Sequence, residues 1–406
     1  MNEILSVGLI LVAALVAGHA AQLVRLPEVT GYLLVGVLIG PSALDLVSHD
    51  DVRTLGFLSE VALGVILFGI GSIFEAGNFR RVGRGVVRIT LAETASVFAL
   101  VLAAMLLLGQ PLEVALLLGV IAMETAPATT LMVVREFDAS GPLTDRLLAL
   151  VALNNMVVLF AFGLIASILA LASGGTDGWL LSAYRAVHGV FWTTVGSVAL
   201  GILLGLAVDI WAGRTKESGE GMTLVMGVIL VAVGASRWLG LSPLFATLAL
   251  GATVANTSHR GDFLLRSVGR ADPPLFAAFF VLAGAELRVA SLATFGATGL
   301  IYVVLRIAGK VAGARVGLRG QDVPDGVRRY LGFCLLSSSS LAIGLTIQVR
   351  SSFPHLAPAL TGVVLAAVLI FEIVGPMLTR QVLLRTGEAK TLPAPLAETS
   401  EASLSP

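Results

Sequence analysis

Apolar runs of about twenty residues, long enough for a helix to cross a bilayer core, follow one another along the chain with short polar breaks between them. They fall at roughly 4–24, 29–47, 54–74, 86–107, 112–134, 144–172, 186–211, 221–238, 241–257, 273–288, 294–316, 326–349 and 358–380. The pattern predicts an all-α polytopic membrane protein of about thirteen transmembrane helices. The ninth and tenth runs are short, so twelve helices and one re-entrant segment is the alternative count. Gly, Pro and Ser interrupt several runs, which makes their ends soft.

The positive residues set an orientation. With the N-terminus outside, nineteen Lys and Arg fall in predicted cytoplasmic loops and the C-terminal end, and five fall outside: Arg53, Arg185, Arg237, Arg288 and Arg350. The other two of the 26, Arg306 and Lys310, lie inside span 11. No Lys or Arg precedes the first run, so residues 4–24 read as a span, not a cleaved signal. Residues 386–406 are polar and rich in Pro, Ala and Ser, and read as a short disordered cytoplasmic tail.

The two halves echo one another. Span 2 enters as LPEVTGYLLVGVLIGPS and span 9 as LSPLFATLALGATVANTS; span 3 ends LFGIGSIFE and span 10 ends FFVLAGAELR. Six helices, one linker and six more make two inverted repeats, an arrangement that places transport sites where broken helices meet at mid-bilayer. Composition agrees: 56% of residues are hydrophobic, 13% are charged, and mean hydropathy is +0.94. Net charge is zero, so no basic footprint points to nucleic acid. Cys334 is the single cysteine, and the five histidines have no metal-ligand spacing. No catalytic triad, nucleotide loop or cofactor motif is present, so the chain does not read as an enzyme.

Several residues in order resemble the bacterial cation:proton antiporter superfamily, in its Kef-like branch. They are Arg25-Leu26-Pro27, Gly31-Tyr32-Leu33-Leu34, Gly36, Gly40-Pro41-Ser42, Phe68, Gly71, Leu241-Ser242-Pro243, Gly251, Asn256, Phe279-Phe280, Gly284, Arg306, Gly309-Lys310, Gly313, Ala342-Ile343-Gly344-Leu345 and Gly375-Pro376. The resemblance implies a sodium–proton antiporter-like fold over 1–385, usually as a homodimer in the inner (plasma) membrane. Scaffold helices would lie at about 1–74 and 221–288, core helices at about 86–172 and 294–380, and a linker helix at about 186–211. It implies exchange of a monovalent cation, Na⁺ or K⁺, for protons by an elevator-like shift, with no cofactor and no resident metal.

Spans 5 and 12 are the expected broken, crossed helices. Span 5 reads Glu124-Thr125-Ala126-Pro127-Ala128-Thr129, and Pro127 removes a backbone donor at mid-span. Freed carbonyls with Thr hydroxyls suit a cation that wants oxygen ligands. Span 12 carries Ser338 and Ser339 within a serine run. On span 6 the family has Asn-Asp or Asp-Asp, the second residue binding ion and proton; this chain has Asn154-Asn155, and Asn cannot titrate. Glu124 is the expected replacement, because an acid at that depth marks a pathway or a pair. Arg306 and Lys310, one turn apart, should pair with the core acids Glu93 and Glu372, with Arg306 the permanent structural partner. His19 reads as a packed or lipid-edge residue, Glu28 and Glu60 as solvated, and Asp209 as a helix-end charge. Because the usual aspartate is missing, a same-fold transporter of an anion or neutral solute, or a transport-inactive scaffold or sensor, stays open.

Overall fold

The computed structural model describes residues 3–71, 76–172, 188–189, 191–213, 218–268, 272–287, 289–290, 296–338 and 340–389, and all its regular elements are helices. In chain order they are α1 (Glu3–Leu23), α2 (Glu28–Ile39), α3 (His49–Thr54), α4 (Gly56–Gly71), α5 (Ala76–Leu107), α6 (Leu112–Ala122), α7 (Pro127–Glu136) and α8 (Pro142–Ala172). A π turn (Trp192–Gly196) leads into α9 (Ser197–Ala212). Then come α10 (Ser218–Trp238), α11 (Pro243–Thr257), α12 (Gly261–Val268), α13 (Asp272–Glu286), α14 (Gly296–Gly317), α15 (Asp325–Cys334), α16 (Ser340–Ser352) and α17 (Ala357–Arg385). Among the described residues, eight helical stretches are long and apolar enough to cross a membrane, taking α6 with α7 as one. Shorter apolar helices include α2, α4, α11 and α13. The chain is a multi-pass membrane protein.

Some boundaries move. Span 2 was expected to run to 47, but α2 stops at Ile39, where Gly40-Pro41 cannot continue the helix. Span 4 lengthens, since α5 starts at Ala76. The predicted tail lies largely outside the described residues, but Glu388 is placed. Its carboxylate accepts from Leu143 N (2.7 Å), Thr144 N (2.8 Å) and Thr144 Oγ1 (2.8 Å), capping α8. Gly141, at φ +149°, leaves the room this needs, for a Cβ there would overlap the Glu388 side chain.

Two groups of helices emerge from the packing. In the first, α2 packs on α13 and α4 on α11, with α1, α9 and α10 around them. Glycines bring these backbones together: a Cβ on Gly36 would overlap the Val281 carbonyl, and one on Gly284 the Leu33 carbonyl. Gly71 against the Leu248 carbonyl and Gly251 against that of Phe68 repeat the device in the second pair. The inverted repeat exchanges span 2 with span 9 and span 3 with span 10, so it turns one contact into the other. In the second group α14 lies along α5, flanked by α6, α8, α15 and α17. Gly309, Gly313 and Gly317, four residues apart, set α14 directly on the α5 backbone at Val97, Glu93 and Ile89.

The groups meet where α7 touches α2 and α4 and where α17 touches α2. At one end of this seam the Glu136 carboxylate of α7 accepts the Glu28 backbone N–H at 3.0 Å through both oxygens, capping α2. Glu28 is half-buried, not simply solvated as expected: it accepts hydrogen bonds from Gln22 and from Tyr32 (2.8 Å). Beside it the Arg135 guanidinium lies 5.6 Å from the Phe276 ring centroid on α13. At the other end is a cavity of about 240 Å³, lined by His49, Val52 and Glu286 from one group and Thr346, Ile347 and Arg350 from the other.

Candidate ion site at the crossed half-helices

The break in span 5 is where Pro127 predicts it. Helix α6 ends at Ala122, Glu124–Ala126 are unwound, and α7 begins on Pro127 with Ala126 extended at its N-cap. Span 12 breaks in the same way, with α15 ending at Cys334 and α16 starting at Ser340. The two unwound segments touch: Ala126 N donates to Ser337 O at 3.0 Å, and Thr125 Oγ1 to Leu335 O at 3.2 Å. Each helix pair thus directs a carbonyl end (α6, α15) and an amide end (α7, α16) at the crossing, partial charges buried in an apolar surround.

Arg306 compensates the carbonyl ends. Its Nε donates to Ala122 O (3.0 Å), Nη1 to Leu336 O (2.6 Å) and Nη2 to Glu124 O (2.7 Å), with Ser337 O at 3.4 Å. The guanidinium lies 4.2 Å from the Phe371 ring centroid. This corrects the expectation that Arg306 holds the structural acid pair: its planar fork donates to carbonyls of both breaks. The ion pair belongs to Lys310, one turn on. Its Nζ meets the Glu93 carboxylate, the Met123 carbonyl and Thr125 Oγ1 (2.7 Å). Glu93 Oε2 also accepts from Asn154 Nδ2 at 2.9 Å. Reach explains the exchange of roles, since Gly313 seats α14 against the Glu93 backbone.

The remaining acids sit on the other side of the break. Glu124, fully buried, accepts at Oε2 from Ser338 Oγ (3.0 Å). Glu372 was expected to pair with a cation, but its Oε2 accepts from Thr129 Oγ1 at 3.3 Å, in the first turn of α7 beyond the break. Asn155 Nδ2 donates to Thr125 O and to Val151 O, both at 3.0 Å. Three buried oxygens here have no hydrogen-bond partner among the described residues: Asn154 Oδ1, Asn155 Oδ1 and Ser337 Oγ. Glu124, Thr125, Pro127, Thr129, Asn154, Asn155 and Ser338 therefore cluster at the crossing, and Ser339 lies outside the described residues. Ser337 was missed as a candidate, although it belongs to the same serine run. Of the minor candidates, His19 is exposed and its Nδ1 lies 2.9 Å from Leu15 O, while Glu60 meets Arg237 at 3.1 Å. No group of three or more metal-type side chains occurs among the described residues.

The sequence profile of the transmembrane sodium/hydrogen exchanger matches residues 9–384, almost the whole chain. The chain belongs to the sodium/hydrogen exchanger family. This is a family of transporters, not of enzymes. The chain is 23% identical over 374 residues to the ammonium/H⁺ antiporter subunit AmhT of Alkalihalophilus pseudofirmus, covering 89% of this chain and 92% of that one. It is 22% identical over 404 residues to the K⁺/H⁺ antiporter subunit KhtU of Bacillus subtilis, covering 93% of each. The fold superposes on the sodium proton antiporter MjNhaP1 of Methanocaldococcus jannaschii with a TM-score of 0.68, at 20% identity and over 96% of each chain. The two relatives are thus named as antiporter subunits for ammonium and for K⁺, and the solved structure, whose fold this chain shares, as a sodium proton antiporter.

Proposed function

We propose that this protein exchanges a monovalent cation for protons, with Glu124 as the coupling carboxylate in place of the aspartate absent at Asn155. The observation that carries this reading is the placement of Glu124. It is a fully buried acid at the unwound segment of a broken helix, held by Ser338, in a crossing where Asn154, Asn155 and Ser337 keep unused oxygens. Oxygen ligands and one titratable acid are what a dehydrated monovalent cation and a proton compete for. The buried cations do not favour an anion, because Arg306 spends its donors on carbonyls and Lys310 on Glu93, Met123 and Thr125.

In this reading the first group of helices is a scaffold, through which two copies of the chain pair in the bacterial inner membrane. The second group is a core that slides against it. The seam is capped at the predicted cytoplasmic end by Glu136 and holds a cavity at the predicted outer end, which fits an outward-facing state. The positive-residue asymmetry of the loops supports the N-out, C-in orientation.

The test is purified protein in proteoliposomes with a pH dye inside, a proton gradient, and Na⁺, K⁺, Li⁺ and NH₄⁺ compared. One or more cations should dissipate the gradient. Glu124→Gln should abolish the effect while its gel-filtration profile stays that of the wild type. Wild-type rates in Glu124→Gln remove Glu124 from the coupling role, and no response to any cation favours a scaffold or sensor.

A further inference from the structure

Among the described residues, six ionisable side chains are buried at the crossing: Glu93, Glu124, Tyr302, Arg306, Lys310 and Glu372. A phenol is neutral at ordinary pH. Lys310 and Glu93 form a self-contained pair of net charge zero, with Asn154 on the remaining Glu93 oxygen. Arg306 keeps its charge under any physiological condition. What is left is one fixed positive charge facing two carboxylates, Glu124 and Glu372. Glu124 lies in the unwound segment and Glu372 on α17, and Thr129 ties Glu372 to the first turn of α7, directly after the break that holds Glu124.

We infer that Glu124 and Glu372 work as one two-carboxylate unit that holds a single exchangeable positive charge, either one proton or one monovalent cation. This rests on the antiport reading above and adds Glu372 as its second site residue. With both acids ionised, the unit and Arg306 sum to −1, which is costly so far from water. One proton brings the sum to zero, with Glu124 and Glu372 sharing it as a coupled pair. One monovalent cation between the carboxylates also brings it to zero, and the proton then leaves: a protonated carboxyl and M⁺ give a carboxylate–M⁺ pair and H⁺. Proton and cation together give +1, so they exclude each other. Each cycle then moves one positive charge in each direction and no net charge. A divalent cation leaves the unit at +1 and is a poor substrate.

The experiment measures the balance point of exchange in proteoliposomes of the wild type and of Glu372→Gln, Glu372→Asp and Thr129→Val. Sodium chloride and potassium chloride are the probes, read by an internal pH dye and an oxonol dye for membrane potential. In the wild type a tenfold cation gradient should be balanced by about one pH unit, with no oxonol signal, where two protons per cation would balance at about half a unit. Glu372→Gln should lose at least about tenfold of its cation-driven proton flux, because Glu124 alone with Arg306 is already neutral. Glu372→Asp should keep the one-for-one balance point. Thr129→Val, which removes the hydrogen bond to Glu372, should displace the pH profile of exchange. Wild-type flux and balance point in Glu372→Gln, or a wild-type balance near half a unit, overturns this inference alone. No cation-driven flux in the wild type overturns it together with the function it rests on.

Discussion

Lys310→Met puts the assignment of the ion pair at risk. The substitution keeps the length of the side chain and removes the ammonium that meets Glu93, the Met123 carbonyl and Thr125 Oγ1. Glu93 is then a buried carboxylate that keeps the hydrogen bond from Asn154 Nδ2 and has lost its cation. Removing one member of such a pair costs about 3–5 kcal/mol. The stranded carbonyl and hydroxyl acceptors belong to the same network, so their loss overlaps with that figure and is not added to it. Domains of about 150–250 residues shift in melting temperature by about 2–4 °C per kcal/mol, and the shift shrinks with chain size. At about 1–2 °C per kcal/mol for a chain this long, Lys310→Met should melt roughly 3–10 °C below wild type. The assay is thermal denaturation in detergent, followed by fluorescence-detected gel filtration. Adding Glu93→Gln should restore at least half the loss, because no charge is then stranded. The same Glu93→Gln should not rescue Arg306→Ala, whose stranded partners are carbonyls. A Lys310→Met protein that melts within a degree of wild type, or a double variant no better than the single one, refutes the pairing.

Two further outcomes follow from side chains at opposite depths. Asn155→Asp restores the family carboxylate in sequence but sets it against the Thr125 and Val151 carbonyls that now accept from Asn155 Nδ2. It should lower the melting temperature, at a cost of about 1–3 kcal/mol, and displace the pH profile of exchange; an unchanged melt and profile would place Asn155 outside the site. On loop helix α3, Asp51 accepts from Ser48 N (3.0 Å), Ser48 Oγ (2.7 Å) and Ser6 Oγ (3.1 Å), and the Ser48 hydrogen bonds above all hold its carboxyl below the ordinary range. A lowered folded-state value means stability that is present above the unfolded value of about 3.9 and lost as pH falls through the folded one. Melting temperature should therefore fall more steeply on acidification below about pH 4 in the wild type than in Asp51→Asn, and parallel curves would refute the linkage.

Much of this architecture is written locally and can be read from the chain. Apolar runs mark the helices, Pro127 marks the first break, and the serine run before α16 marks the second. The paired LPEVTGYLL and LSPLFATLA entries announce the repeat that the α2–α13 and α4–α11 contacts bear out. The depth of Glu124, Arg306 and Lys310 was also legible, since charges inside apolar runs stand out. What was not legible depends on distance in three dimensions. Whether Arg306 or Lys310 takes the acid turns on how closely α14 approaches α5, and the spacing of Gly309, Gly313 and Gly317 is the one sequence signal for it. The meeting of Glu372 with Thr129, of Glu136 with the Glu28 amide, and of Glu388 with the start of α8 each join segments more than a hundred residues apart. No local periodicity encodes such pairings.

The glycine contacts between α2 and α13 bear on how the chain is made. Gly36 is met by backbone that the ribosome supplies only when Val281 and Gly284 have been joined. At about 5–20 residues per second, that interval lasts roughly ten to fifty seconds. Throughout it the small-residue face of α2 has no native partner and lies against lipid or whatever insertion machinery attends the nascent chain. The equivalent face of α4 waits only slightly less, until Leu248 and Gly251 arrive. Neither half-repeat can complete its own packing, so assembly is held back until translation is well into the second half. A stall or truncation before α11 leaves both faces open in the membrane, where quality-control proteases would meet them.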